Sequence, residues 1–177
     1  MLAYLNPQFA YESLLAFLAA GGPVLVIIMG VTFTMWAFII ERLIFWTTAK
    51  DSVQKRAQRA WQSREDTSSW YALAIRNKLI ADAHNDFDRF NWFIKVLVAV
   101  TPLLGLLGTV TGMVEVFNVM AATGTSNARL MAGGISKATI PTMAGLVASL
   151  SGLIFINSFE ANVKKAEAKL SEMLRIG

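Results

Sequence analysis

Three stretches of this chain run for the length of a bilayer-spanning helix with almost no charge, and nothing else restricts the fold as much. Pro23–Ile40 is 18 uncharged residues ending at Glu41-Arg42, Val96–Val114 is 19 residues between Lys95 and Glu115, and Ala138–Phe159 is 22 residues between Lys137 and Glu160. A helix needs about 17–25 apolar residues to cross a hydrocarbon core ~30 Å thick, and in lipid only a helix satisfies its backbone within one segment. The expected fold is an all-α membrane protein with three transmembrane helices. A chain that is 55% hydrophobic and only 16% charged is outside the range of ordinary soluble domains.

The basic residues set the topology. Residues 1–22 contain no Lys or Arg and 120–134 contain only Arg129, whereas 41–95 contain ten and 157–177 contain four. By the positive-inside rule the N-terminus lies outside and both basic segments lie inside. The expected partition is an interfacial helix at 1–22, transmembrane helix 1 at 23–40 and an inner helical segment at 41–92. Transmembrane helix 2 follows at 93–120, a short outer loop at 121–130, transmembrane helix 3 at 131–158 and an inner helical tail at 159–177. Residues 1–22 lack the basic start and long apolar run of a signal peptide. Asn6-Pro7 marks a helix start and Gly21-Gly22-Pro23 a break, so a short helix on the outer surface is expected.

In the inner segment, Val53, Ala57, Ala60 and Trp61 have helical spacing, Ser63–Ser69 is a polar break, and Trp70–Ala83 is expected as a second helix. His84, Asn85, Asp86 and Asp88 are expected as a solvated turn capping the next helix, in preference to a metal cluster. In the tail, Phe159, Val163, Ala166, Leu170 and Met173 form a heptad-like seam. That seam fits either an amphipathic helix packed on its own inner segment or self-association around an axis.

Two charges interrupt the apolar pattern. A charge at mid-bilayer costs about 2.5–3.5 kcal/mol on insertion scales, so Glu115 and Lys137 need a reason to be there. On the second span Thr101, Gly105, Gly108, Gly112 and Glu115 share one face, with Thr109 beside it, and Pro102 frees a carbonyl. On the third, Ala138, Thr142, Gly145, Ser149 and Gly152 form one small-residue stripe and Lys137, Pro141, Ala144, Ala148 and Ser151 another. Ile140, Met143, Val147, Leu150 and Ile154 form a bulky stripe suited to lipid. Small residues let membrane helices approach closely, and the hydroxyls suit a polar path; the pattern admits both uses. If Thr109 and Thr142 share a level, Glu115 and Lys137 lie roughly 9 and 7.5 Å from it. They are expected to pair, within one subunit or across an interface.

The run Thr101-Pro102-Leu103-Leu104-Gly105-Leu106-Leu107-Gly108-Thr109-Val110-Thr111-Gly112-Met113 resembles the second-helix signature of the ExbB/TolQ/MotA proton-channel family. Gly134-Ile135-Ser136-Lys137-Ala138-Thr139 and Thr142-Met143-Ala144-Gly145-Leu146-Val147-Ala148 resemble its third-helix signature, and the short inner segment looks most like the ExbB branch, with TolQ as near neighbour. The resemblance implies a homopentamer in the bacterial inner membrane, its N-terminus periplasmic, enclosing an ExbD-like single-span partner. It further implies H⁺ as coupling ion, a TonB-like protein as client, and Thr109 and Thr142 as pore-lining residues. ExbB proteins commonly carry a glutamate where this chain has Lys137, and Glu115 is expected to supply the relocated carboxylate.

Glu115, Lys137 and Ser149 join the two threonines as candidate ion-path residues, with Gly105, Gly108, Gly112, Gly145 and Gly152 as packing positions. No resident cofactor or metal is expected. An enzyme is not expected either, because one His, no Cys and no phosphate-binding loop leave little to build a reaction on. Nor is nucleic acid an expected partner, since the basic residues form no aromatic-rich patch. Alternatives to a TonB client are a Tol- or stator-type client, or a non-conducting membrane scaffold.

Overall fold

The computed structural model describes residues 7–124 and 128–175. The first residues of the expected interfacial helix and the centre of the expected outer loop therefore lie outside the described residues. Among the described residues five helices follow one another: α1 (Pro7–Thr48), α2 (Lys50–Gln62), α3 (Trp70–Asp88), α4 (Asn91–Thr123) and α5 (Ala128–Met173). Three helical stretches among the described residues are long and apolar enough to cross a membrane, within Tyr11–Thr48, Trp70–Thr123 and Met131–Met173. The chain is an all-helical, multi-pass membrane protein.

α1 is broken at Gly22, whose φ of 68° only glycine adopts without strain. Pro23 follows immediately, where its fixed φ suits the first turn of the continuing helix.

By contact density the chain divides into two units, one of residues 1–35 and 97–151, the other of 36–96 and 152–177. In the first, α4 and α5 meet along their small residues. A Cβ on Gly105 would stand 2.9 Å from the Thr142 Cα, and one on Gly112 would stand 2.8 Å from the Ala138 Cβ. One on Gly145 would stand 2.8 Å from the Thr101 carbonyl oxygen, so backbone lies against backbone. Without a hydrophobic drive between helices in lipid, such close packing is what holds them together. Leu25 and Ile28 of α1 are buried in this unit, whereas Met143, Val147 and Leu150 of α5 stay exposed.

The second unit has its own apolar core. Val53, Ala57 and Trp61 of α2, Ala72, Ala83 and Phe87 of α3, and Val163, Ala166 and Leu170 of α5 cluster with Leu174. The tail seam is thus used against its own inner segment. Its last position differs from expectation: Met173 is exposed and Leu174 is buried, because the helical i,i+4 step from Leu170 carries through the Leu174 amide, which donates to the Leu170 carbonyl at 3.1 Å. Ala60 is likewise exposed, its place beside Val53 and Ala57 taken by the buried Gln54. Arg76 of α3 caps the end of α5, donating to the Leu174 carbonyl at 2.6 Å and to the Ser171 carbonyl and hydroxyl at 2.9 and 2.8 Å.

The expected turn at His84–Asp88 is not a turn. α3 continues through Asp88, and the polar residues disperse to separate partners: His84 Nδ1 lies 3.2 Å from Glu167 Oε2, and Asp86 pairs with Arg56. Burial of Ala83 and Phe87 on one face keeps the helix going past its Asn and Asp residues. The true break comes at Phe90, with φ 65°. Here the fully buried Arg42 of α1 donates to the Phe87 carbonyl at 2.6 Å, satisfying an orphan acceptor at the C-terminal end of α3.

Candidate functional site

Thr109 and Thr142 stand on one flank of the small-residue seam between α4 and α5, and Glu115 and Lys137 on the other. Pro102 has no N–H, so the Val98 carbonyl four residues earlier lacks its ordinary helical donor. Ser149 of α5 supplies one, its hydroxyl donating to Val98 at 2.9 Å. Thr142 donates to the Gly105 carbonyl at 2.7 Å, while Thr109 donates within its own helix to Leu106 at 2.7 Å. Two of the three candidate hydroxyls thus bridge the helices, and Thr109 and Thr142 are both partly exposed.

Glu115 and Lys137 lie elsewhere around their helices. At about 100° per residue, Glu115 is turned ~120° from Thr109 on α4, with Gly112 ~60° from each. Lys137 is turned about 140° from Thr142 on α5 by the same count. The seam therefore runs between hydroxyls and charges.

The charges face a cavity of about 490 Å³, walled by the Gly21–Val24 break of α1 and by α4 and α5 from Gly108 and Pro141 to Thr123 and Met131. Both charges line it, as do Gly108, Gly112 and Thr111; Thr109, Thr142 and Ser149 do not. The expected pairing within one subunit is not found. Among the described residues the ion pairs are Arg56–Asp86, His84–Glu167 and Lys95–Glu160. Both Glu115 and Lys137 are exposed on the wall of this cavity. Sequence reasoning placed the charges near one level but missed the third wall, contributed by the Gly21-Gly22-Pro23 break. The signal was present: a two-glycine break before a span brings bare backbone beside α4 and α5.

The packing glycines are all enclosed. Gly105, Gly108 and Gly145 are buried, Gly112 is against Ala138, and Gly152 is buried. These positions account for most of the small residues, leaving the hydroxyls and the two charges as the groups with chemistry to spare.

A profile of the MotA/TolQ/ExbB proton channel family matches residues 46–172, well over half of the chain. The chain belongs to that family. Among its relatives is a Synechocystis protein named biopolymer transport protein ExbB-like 3, 29% identical over 86% of this chain and 88% of its own length. The biopolymer transport protein ExbB of Salmonella typhimurium is 33% identical over 48% of this chain, a match spanning 35% of that protein. The Tol-Pal system protein TolQ of Haemophilus influenzae is 22% identical over 81% of each chain. The chain thus spans most of the first and third of these relatives but about a third of the Salmonella ExbB. The family match covers α2 to nearly the end of α5, and so includes both the hydroxyl flank and the two charges.

Proposed function

We propose that this protein is the ion-conducting, ring-forming subunit of an energiser in the bacterial inner membrane. It uses the proton motive force, through an ExbD-like single-span partner, to drive a TonB-like client. In this reading the N-terminus is periplasmic, the α5 tail is cytoplasmic, five copies surround the partner helix, and H⁺ is the coupling ion. The observation that carries it is the hydroxyl flank: in a chain of a proton-channel family, Thr109 and Thr142 are partly exposed hydroxyl residues on one side of the seam, away from the two charges. A titrating group on a partner helix needs such a narrow polar route, and its change of charge shifts its preferred position in the ring. Ser149 supports the same face from behind, while Glu115 and Lys137 stand apart from it.

Co-expression with an ExbD-like single-span protein, and reconstitution into vesicles holding a pH-sensitive dye, tests this reading. Replacing both Thr109 and Thr142 with Ala is expected to slow proton entry roughly tenfold, the equivalent of ~1.4 kcal/mol at the barrier. Wild-type flux in an assembled double variant would remove the threonines from the path, and client activation with no proton flux in wild type or variant would favour the scaffold alternative. The likeness to TolQ over most of both chains supports a second reading, a Tol-type client, and the partner that co-purifies separates the two.

A further inference from the structure

We infer that the cavity beside the seam is a binding site for one zwitterionic phospholipid of the phosphatidylethanolamine type. Its phosphate is met by Lys137 and its ammonium by Glu115.

The argument begins with the two charges. They line one cavity of about 490 Å³, a size typical of sites that enclose small ligands, and they do not pair with each other. A lone cation or anion in that space would relieve one charge and oppose the other. A headgroup carrying one charge of each sign satisfies both. The rest of the lining is suited to a lipid: Val24, Val116 and Met120 are apolar, and Gly22 places backbone without a side chain at the wall. The three long apolar helices put the cavity in reach of the bilayer, the one solvent that supplies such molecules in excess. Phosphatidylcholine carries the same charges, but its trimethylated nitrogen has no N–H to donate to Glu115, and phosphatidylglycerol has no amine at all. The site therefore discriminates by hydrogen bonding as well as by charge.

This inference goes beyond the proposed function and does not depend on ion conduction, because the cavity lies on the flank away from Thr109 and Thr142. The test places the purified full-length chain in nanodiscs of phosphatidylglycerol containing equal minor fractions of phosphatidylethanolamine and phosphatidylcholine. Native mass spectrometry then counts the lipid that stays bound on detergent release. Wild type should keep about one phosphatidylethanolamine per chain, preferred roughly tenfold over each of the others, the worth of one charge-assisted hydrogen bond. E115Q should erase the preference over phosphatidylcholine, and K137Q should cut retention of both zwitterions by about the same factor. T111W, which fills the space one helical turn from Glu115 and leaves both charged residues in the chain, should expel the lipid; helix content by circular dichroism identifies any variant that fails to fold. Equal retention of all three lipids by wild type, or wild-type retention by folded E115Q and K137Q, overturns the inference. So does a photo-crosslinker at position 111 that captures only a polypeptide. Proton flux in the same preparations reports on the function separately.

Discussion

Replacing Ser149 with Ala should destabilise the protein only as long as Pro102 is present. Pro102 deprives the Val98 carbonyl of its helical N–H, and Ser149 reaches from α5 to donate at 2.9 Å. Val98 is buried, so removing the hydroxyl strands an acceptor that has nowhere else to turn. In soluble proteins a stranded group costs about 1–3 kcal/mol. Measured interhelical hydrogen bonds in a membrane protein average ≈ 0.6 kcal/mol with a maximum near 1.7, because the unfolded chain in the membrane also finds partners. Two features place this bond near the top of that range: its acceptor lacks the usual competitor, and the helices cannot part to admit water without opening the glycine seam. The expected cost of S149A is therefore about 1 kcal/mol.

The same substitution made in a P102A background should cost close to nothing. A restored N–H at position 102 occupies the Val98 carbonyl, leaving the serine redundant. The double-mutant cycle thus has an expected coupling of about 1 kcal/mol, well above the scatter of independent sites. Titration of the purified chain with SDS in mixed micelles, followed by circular dichroism, measures all four corners. S151A is the control, because Ser151 donates to Ala148 within its own helix at 2.6 Å. An S149A cost that is the same with and without Pro102 would refute the reasoning, since the serine would then be serving something other than the proline's orphan.

Two further outcomes follow from the packing and from the inner unit. Gly105→Ala should destabilise by about 1–3 kcal/mol, because its Cβ would press on Thr142 backbone that cannot yield, whereas Gly30→Ala, with nothing within 4 Å, should be neutral or slightly stabilising; equal effects in the micelle titration would show that the seam is loose. The Ser69 hydroxyl donates to Asp66, and this bond chiefly, with the Ser69 and Ser68 amides, holds the Asp66 carboxyl below its usual value. A group lowered on folding contributes stability above its unfolded value and loses it as pH falls through the lowered one. Amide protection factors at the start of α3, corrected for the intrinsic slowing of exchange in acid, should accordingly fall on acidification in wild type and change less in D66N, and an identical acid response in both would sink the assignment.

The sequence makes the spans plain because lipid tolerates so few alternatives to a long uncharged helix. It also shows most of the tail seam: Phe159, Val163, Ala166 and Leu170 are buried as a set. What it leaves open is the partner of that seam, since an apolar stripe looks the same whether it meets its own chain or another copy. Deciding that takes the three-dimensional core, where α2 and α3 supply the opposing face. His84–Asp88 misleads for a different reason. Asn and Asp are local turn formers, but burial of Ala83 and Phe87 outweighs a few tenths of a kcal/mol of helix propensity per residue. Arg42 directly follows Glu41 at the end of the first uncharged run; the structure buries it completely and gives it the Phe87 carbonyl. No period in the sequence signals a bond between residues 45 positions apart.

The two flanks of the α4–α5 seam bear on how small residues in membrane helices should be read. A glycine stripe ending in a carboxylate invites the view that stripe and carboxylate serve one path. Here the glycines are consumed in bringing α4 and α5 together, and any further copy or partner must meet a different surface. The exposed candidates are bulky: Leu103, Leu106, Val110 and Phe117 of α4 and Met143, Val147 and Leu150 of α5. Against such a background Thr109 and Thr142 stand out because they are polar, whereas the glycines beside them are merely small. The charges stand out for the opposite reason, since they are placed where the seam ends and a cavity begins. One helix pair can thus present an ion-compatible face and a headgroup-compatible face at once, provided the seam keeps them apart, and that separation depends on Gly112 remaining too small to fill either side.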